Sequence, residues 1–219
     1  KESEKFVDRQ INLLLQETYE QLDEKIKNEN VSIERVTKGI QITLRGNLFQ
    51  SMKANVNKSY IPIIEEISKV IEDCRLFNVE SSKQYSSLLT FLEEGNQELN
   101  VEIRCEGHTD DAILPSQSDY RNNWELSSAR SLRVVNIMND ASNISEKYFS
   151  YNGYGEFRPL INVSGINDFQ KKKEARAYNR RVEIYLDAFA RPKTRSSEDE
   201  FLKMLDNKFN KQKELQLKN

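Results

Sequence analysis

From Val101 to Cys105 apolar and charged residues alternate, with Val101, Ile103 and Cys105 set against Glu102 and Arg104. A period of two requires a β-strand with one face in a core. The strand runs directly into the turn Gly107, His108, Thr109, Asp110, so polar side chains are presented at a strand end. A second alternating run spans Val182 to Leu186, and two β-branched runs flank a Gly turn between Val31 and Leu44, the pattern of paired strands. Helical spacing fills the intervals. Ile63, Ile64, Ile67, Val70 and Ile71 form one face over residues 58–74, with Pro62 in the first turn, where its missing N–H costs nothing. Leu126, Ala129, Leu132, Val135, Ile137 and Met138 form another over 123–139, capped by Asn122 or Asn123. A strand is expected near 149–154 and a basic helix over 169–180. The order β, β, α, β, α, β, α, β predicts an α/β fold of the α+β two-layer sandwich kind, with helices packed on one face of a mixed β-sheet.

The 219 residues suit one domain of roughly 150 residues with appendages. We expect three parts: a helix over 1–30, the domain over 31–190 with an insertion at about 75–98, and a charged tail over 191–219. In the first, Ile11, Leu15, Tyr19, Leu22 and Ile26 paint one helical stripe. A stripe needs a partner without naming it: either the domain's own core, or a partner met as a dimerising or linking juxtamembrane helix that leads from a membrane anchor. In the tail, Phe201, Leu202, Leu205 and Phe209 trace a weaker stripe among many charges, read as a loosely attached, solvated helix. With 33 basic and 35 acidic side chains the net charge is −2, so no global field favours nucleic acid. No run of about 18 apolar residues and no signal peptide occurs. The chain opens at Lys1 inside a helical pattern and is read as an excised fragment. Cys74 and Cys105 are expected as buried thiols rather than a disulfide.

An ionised Asp only accepts hydrogen bonds and suits an ammonium, whereas Arg presents a planar fork that grips a carboxylate through two parallel bonds. Asp110 at the strand end, beside Asp111, and Arg130 two turns inside the next helix therefore have the chemistry to clamp an α-amino carboxylate. The plainer alternative is that they pair with each other. His108, the only histidine, is read as a turn-stabilising residue. With no second His, no HExxH and no Ser-His-Asp set, neither a metal site nor an enzyme is expected.

Five blocks occur in order: Phe49 with Ala54, GHTD at 107–110, NWELSSAR at 123–130, GYGEFRP at 153–159 and NRRVEI at 179–184. Together they resemble the OmpA-like peptidoglycan-binding domain over roughly residues 35–188. The twelve residues between Asp110 and Asn123, Trp124, and the wording GYGEFRP resemble the MotB-type variety carried by flagellar stators. The resemblance implies that Asp110 and Arg130 hold the diamino acid of the peptidoglycan stem peptide, and that Thr109 and Asn123 line or shape the pocket. Asn179, Arg180 and Arg181 would close its far side, where alternation lets only one of the two arginines face in. It further implies a non-catalytic wall anchor without cofactor, the periplasmic domain of a single-pass inner-membrane protein that forms a homodimer and joins a MotA-type subunit. An outer-membrane porin-tail or lipoprotein type of anchor is the alternative. Two departures stand out. Met52 replaces a family Gly, a residue that normally permits an unusual backbone angle, and the 75–98 insertion has the length to cover the pocket or a dimer face.

Overall fold

The computed structural model describes residues 2–37, 39–50, 52–193, 202, 204 and 205. The expected tail stripe has Phe201 and Phe209 outside these residues. Strands β1 (Val31–Val36), β2 (Gly39–Leu44), β3 (Gln97–His108), β4 (Phe149–Gly153) and β5 (Arg181–Pro192) form one sheet in the order β1-β2-β5-β3-β4. Only the β3–β4 pair is parallel. Helices α1 (Glu2–Lys25), α2 (Ile61–Asp73), α3 (Ser86–Glu94), α4 (Asn123–Ala141) and α5 (Phe169–Asn179) complete the expected mixed two-layer architecture.

The register explains the core. Ile42 pairs with Ile184 and Ile184 with Cys105, while Ile40 and Ile103 both pair with Leu186; all of these are fully buried. Truncating such an Ile or Leu to Ala costs roughly 2–5 kcal/mol. The opposite face carries Glu102, Arg104, Glu106 and His108 of β3 beside Glu183, Tyr185 and Asp187 of β5. Both long strands overrun their alternating runs because their far ends, around Leu99, Asn100, Phe189 and Ala190, are only partly covered. Half-covered residues leave no clean period.

Helix α1 finds its partner within the domain. Val7, Ile11, Leu14, Leu15, Leu22 and Ile26 are buried in the common core, and Phe6 meets Phe91 edge-on at 5.6 Å. The stripe is therefore covered by the chain itself. Residues 75–98 likewise join the core: two short 3-10 segments and α3 contribute Leu76, Val79, Tyr85, Leu88 and Leu92. They pack at the start of β3 and do not line the cavity at its end. Cys74 and Cys105 are free and buried. No helix among the described residues is long and apolar enough to cross a membrane.

Two paired glycines set the distance between sheet and helix. Gly107 and Gly153 sit opposite each other in β3 and β4. A Cβ on Gly107 would lie 2.1 Å from the Ser127 carbonyl oxygen, and one on Gly153 would lie 2.4 Å from the Ser128 nitrogen. Only glycines let α4 lie this close to the strand ends. The contact brings Arg130 of α4 and the turn after β3 to one cavity.

Candidate functional site

The cavity, of about 220 Å³, is lined by Asn47, Phe49, Met52, Thr109, Asp110, Asn123, Leu126, Arg130 and Arg180. Each wall is fixed by local chemistry. Thr109 N–H donates to the Gly155 carbonyl at 2.9 Å and Tyr154 N–H to the Gly107 carbonyl at 2.9 Å, which extends the β3–β4 pairing into the turn. Asp110 Oδ1 accepts from Ala112 N–H at 3.0 Å, an Asx-type turn. Asn123 ties that turn to the start of α4, donating from Nδ2 to the Ala112 and Asp110 carbonyls at 3.1 and 3.4 Å. Asn122 caps the helix by accepting from Glu125 N–H at 3.0 Å.

Asp110 and Arg130 do not pair with each other. Asp110 Oδ2 accepts from Arg180 Nη1 at 2.5 Å. Arg130, only 4% exposed, donates from Nε to the Lys53 carbonyl at 3.0 Å and lies 4.8 Å from the centre of the Phe49 ring. No carboxylate among the described residues pairs with it. Burial first, then the neighbouring Arg180 guanidinium, pulls Arg130 down to about 10, against a partial counter-effect from Asp110. A buried guanidinium with a ring on one side and one carbonyl at Nε keeps its Nη fork for something else.

The loop that carries the Lys53 carbonyl explains Met52. Phe49 bridges Val56, Gln50 N–H donates to the Asn55 carbonyl, and Lys53 N–H donates to the Gln50 carbonyl. Met52 in this loop has φ +56°, the left-handed region that a Gly enters freely and a side chain enters at a cost. Met52 therefore carries the strain of a left-handed residue that has a side chain.

Of the expected site residues, Asp110, Arg130, Thr109, Asn123 and Arg180 meet at this cavity. Arg181 does not. It is buried on the other face of the sheet, donating from Nε to Glu183 at 2.6 Å and from Nη2 to the Arg158 carbonyl at 3.2 Å, as the alternation along β5 requires. Sequence reading missed the Lys53 carbonyl, because residue identity says nothing about where a backbone oxygen points. It also missed Arg176, which grips Asp111 at 2.6 and 3.0 Å and holds its carboxyl below the usual range.

His108 is 2% exposed and stacks on Tyr154, with ring centres 5.4 Å apart. Its Nε2 lies 3.5 Å from Glu183 Oε2, a long and weak contact. Among the described residues, Glu106, His108 and Glu183 have the chemistry to hold a metal ion, their ligand atoms all within 4.8 Å. However, Arg104 already binds Glu106 at 2.8 Å and Arg181 binds Glu183 at 2.6 Å. A cation there would face two guanidiniums, so the geometry fits a buried polar network better than a metal centre. Burial alone would raise Glu183; His108, Arg181 and Tyr185 outweigh it and hold the carboxyl down at about 2. Cys105 leaves β3 on the apolar face, opposite to His108.

A two-layer domain that sets a buried guanidinium and a strand-end carboxylate on one small cavity has the make-up of a binding module, and the chain belongs to the OmpA family, whose profile matches residues 48–173. Within it the chain is similar to Motility protein B of Bacillus subtilis (strain 168), 28% identical over 177 residues, 78% of this chain and 56% of that protein. The chain spans about half the length of the curated relatives it matches. Among solved structures it is similar to the periplasmic domain of Helicobacter pylori MotB, residues 90–256 (22% identity, 84% of this chain and 91% of that chain, TM-score 0.52). It is also similar to the cell wall anchor of the T6SS from Pseudomonas aeruginosa (23% identity, 78% and 97% coverage, TM-score 0.54). At these identities the structural likeness speaks for the fold.

Proposed function

We propose that the domain binds the stem peptide of peptidoglycan and anchors a flagellar stator to the cell wall. The observation that carries this reading is Arg130, buried at the cavity wall with no bonded carboxylate among the described residues. A charge left in that state destabilises the folded chain, and an incoming ligand carboxylate relieves it through a bidentate pair. Asp110, bonded once through each oxygen, retains lone pairs for the ligand nitrogen. Thr109 and Asn123 shape the turn between them, and Arg180 holds Asp110 in place. A diamino acid side chain, with carboxylate and amine on one carbon, matches this two-point grip. The site binds and does no covalent chemistry.

The stator assignment draws on the similarity to Motility protein B and places the domain on the periplasmic side of a single-pass membrane protein. Its MotA-type partner is engaged through a membrane segment outside this chain. Since the α1 stripe is covered internally, a homodimer would use other surfaces. The test is calorimetric titration with a disaccharide-peptide monomer. Asp110→Ala and Arg130→Ala should each weaken binding by at least about 30-fold, because stranding one charge of a buried pair costs roughly 2–5 kcal/mol. Unchanged binding in either variant overturns the site. Full-length protein carrying Arg130→Ala should also fail to restore swimming; restored swimming would favour an anchor outside the motor.

A further inference from the structure

A second cavity, of about 440 Å³, lies against the same turn and shares Thr109 and Asp110 with the first. The two differ in what they offer. In the first, two guanidiniums, Arg130 and Arg180, face one carboxylate, Asp110. In the second, Asp110, Asp111 and Glu156 face one ammonium, Lys172. Asp110 and Asp111 are already held by Arg180 and Arg176, but Glu156 Oε2 is buried without a hydrogen-bond partner among the described residues. Thr109 Oγ1 is equally unpartnered, in a side chain that is 3% exposed and borders both cavities. Buried polar atoms are normally satisfied, and each exception calls for an explanation.

Resting on the stem-peptide reading above, we infer that the second cavity is a subsite for the peptide branch acylated onto the amine of the gripped diamino acid, so that the domain takes cross-linked wall peptide. Charge supports this. A free carboxylate-and-ammonium head is neutral, whereas acylating the amine leaves a net negative head, the better complement to two guanidiniums and one carboxylate. Space supports it too. The second cavity, at about 440 Å³, is about twice the size of the first, at about 220 Å³. Asp110 faces the ligand nitrogen and is common to both cavities, so a chain leaving that nitrogen passes over Thr109 into the second. There Glu156 Oε2 and Thr109 Oγ1 accept amide N–H groups of the branch.

The test compares a disaccharide-peptide monomer bearing a free side-chain amine with the cross-linked muropeptide dimer, by titration against the whole chain. The unsubstituted protein should bind the dimer at least fivefold more tightly. Glu156→Ala should abolish that preference and leave monomer affinity within twofold. Ser164→Trp, at an exposed position on the second cavity's wall, should do the same by filling it. Equal or weaker dimer binding overturns the subsite while leaving the monomer site intact, as does a retained preference in both variants. Failure of the monomer itself to bind overturns the underlying stem-peptide reading.

Discussion

Replacing Arg130 with Met separates a residue kept for a ligand from one kept for the fold. The folded environment pulls the guanidinium from 12.5 to about 10. At about 1.4 kcal/mol per unit, the protonated form is disfavoured in the fold by roughly 3 kcal/mol at neutral pH. Met removes that penalty. It also removes the hydrogen bond to the Lys53 carbonyl, worth about 1.5–3 kcal/mol for a charged donor. The Phe49 contact, worth about 1 kcal/mol, is partly recovered as a thioether–ring contact. The terms nearly cancel, so Arg130→Met should change unfolding stability by no more than about 1.5 kcal/mol in either direction, against the roughly 3–5 kcal/mol lost when a paired buried charge loses its partner. Urea denaturation at pH 7 with and without the disaccharide-peptide monomer measures both halves. Ligand should raise the midpoint of the unsubstituted protein, following mass action, and leave the variant's unmoved. A variant that loses 3 kcal/mol or more would show that Arg130 is satisfied within the fold, and the reasoning from an unpaired charge would fail.

Other consequences are open to equally direct measurement. Glu183, depressed from 4.5 to about 2, adds stability that is present above about pH 4.5 and lost as pH falls through 2, roughly 3 kcal/mol in all. Glu183→Gln should flatten the denaturation midpoint against pH in that acid window, and an unchanged slope would refute the assignment. Met52→Gly relieves a left-handed residue, at the expense of a freer unfolded chain, and should stabilise by up to about 1 kcal/mol; a loss of stability would mean that the Met52 side chain packs more than its backbone strains. Burial raises both thiols, Cys105 to about 12, so a thiol reagent at pH 8 should label neither in the native state and both in denaturant. Rapid native labelling of Cys105 would contradict its place in the core.

What the sequence disclosed follows from how directly each feature is written into residue type. Strands β3 and β5 were legible where one face is buried and the other is not, and illegible where they run on half-covered. Asn122 could be read as a cap and Pro62 as a first-turn residue because each acts within a few positions of itself. The fate of the α1 stripe was not legible, since an apolar face records that it is covered and not by what; Phe91 and the sheet had to be in place before the partner was defined. At the site, the family blocks located Asp110, Arg130, Thr109 and Asn123, and alternation along β5 put Arg181 on the face of Glu183, away from Arg180 just before the strand. Neither revealed that Asp110 already belongs to Arg180, nor that Arg130 leans on a backbone oxygen supplied by the Met52 loop. Those are facts about pairing, and pairing decides what the site can accept. With Asp110 bonded to Arg180, the guanidinium of Arg130 has no bonded carboxylate among the described residues, and so the ligand's carboxylate, more than its amine, should set affinity.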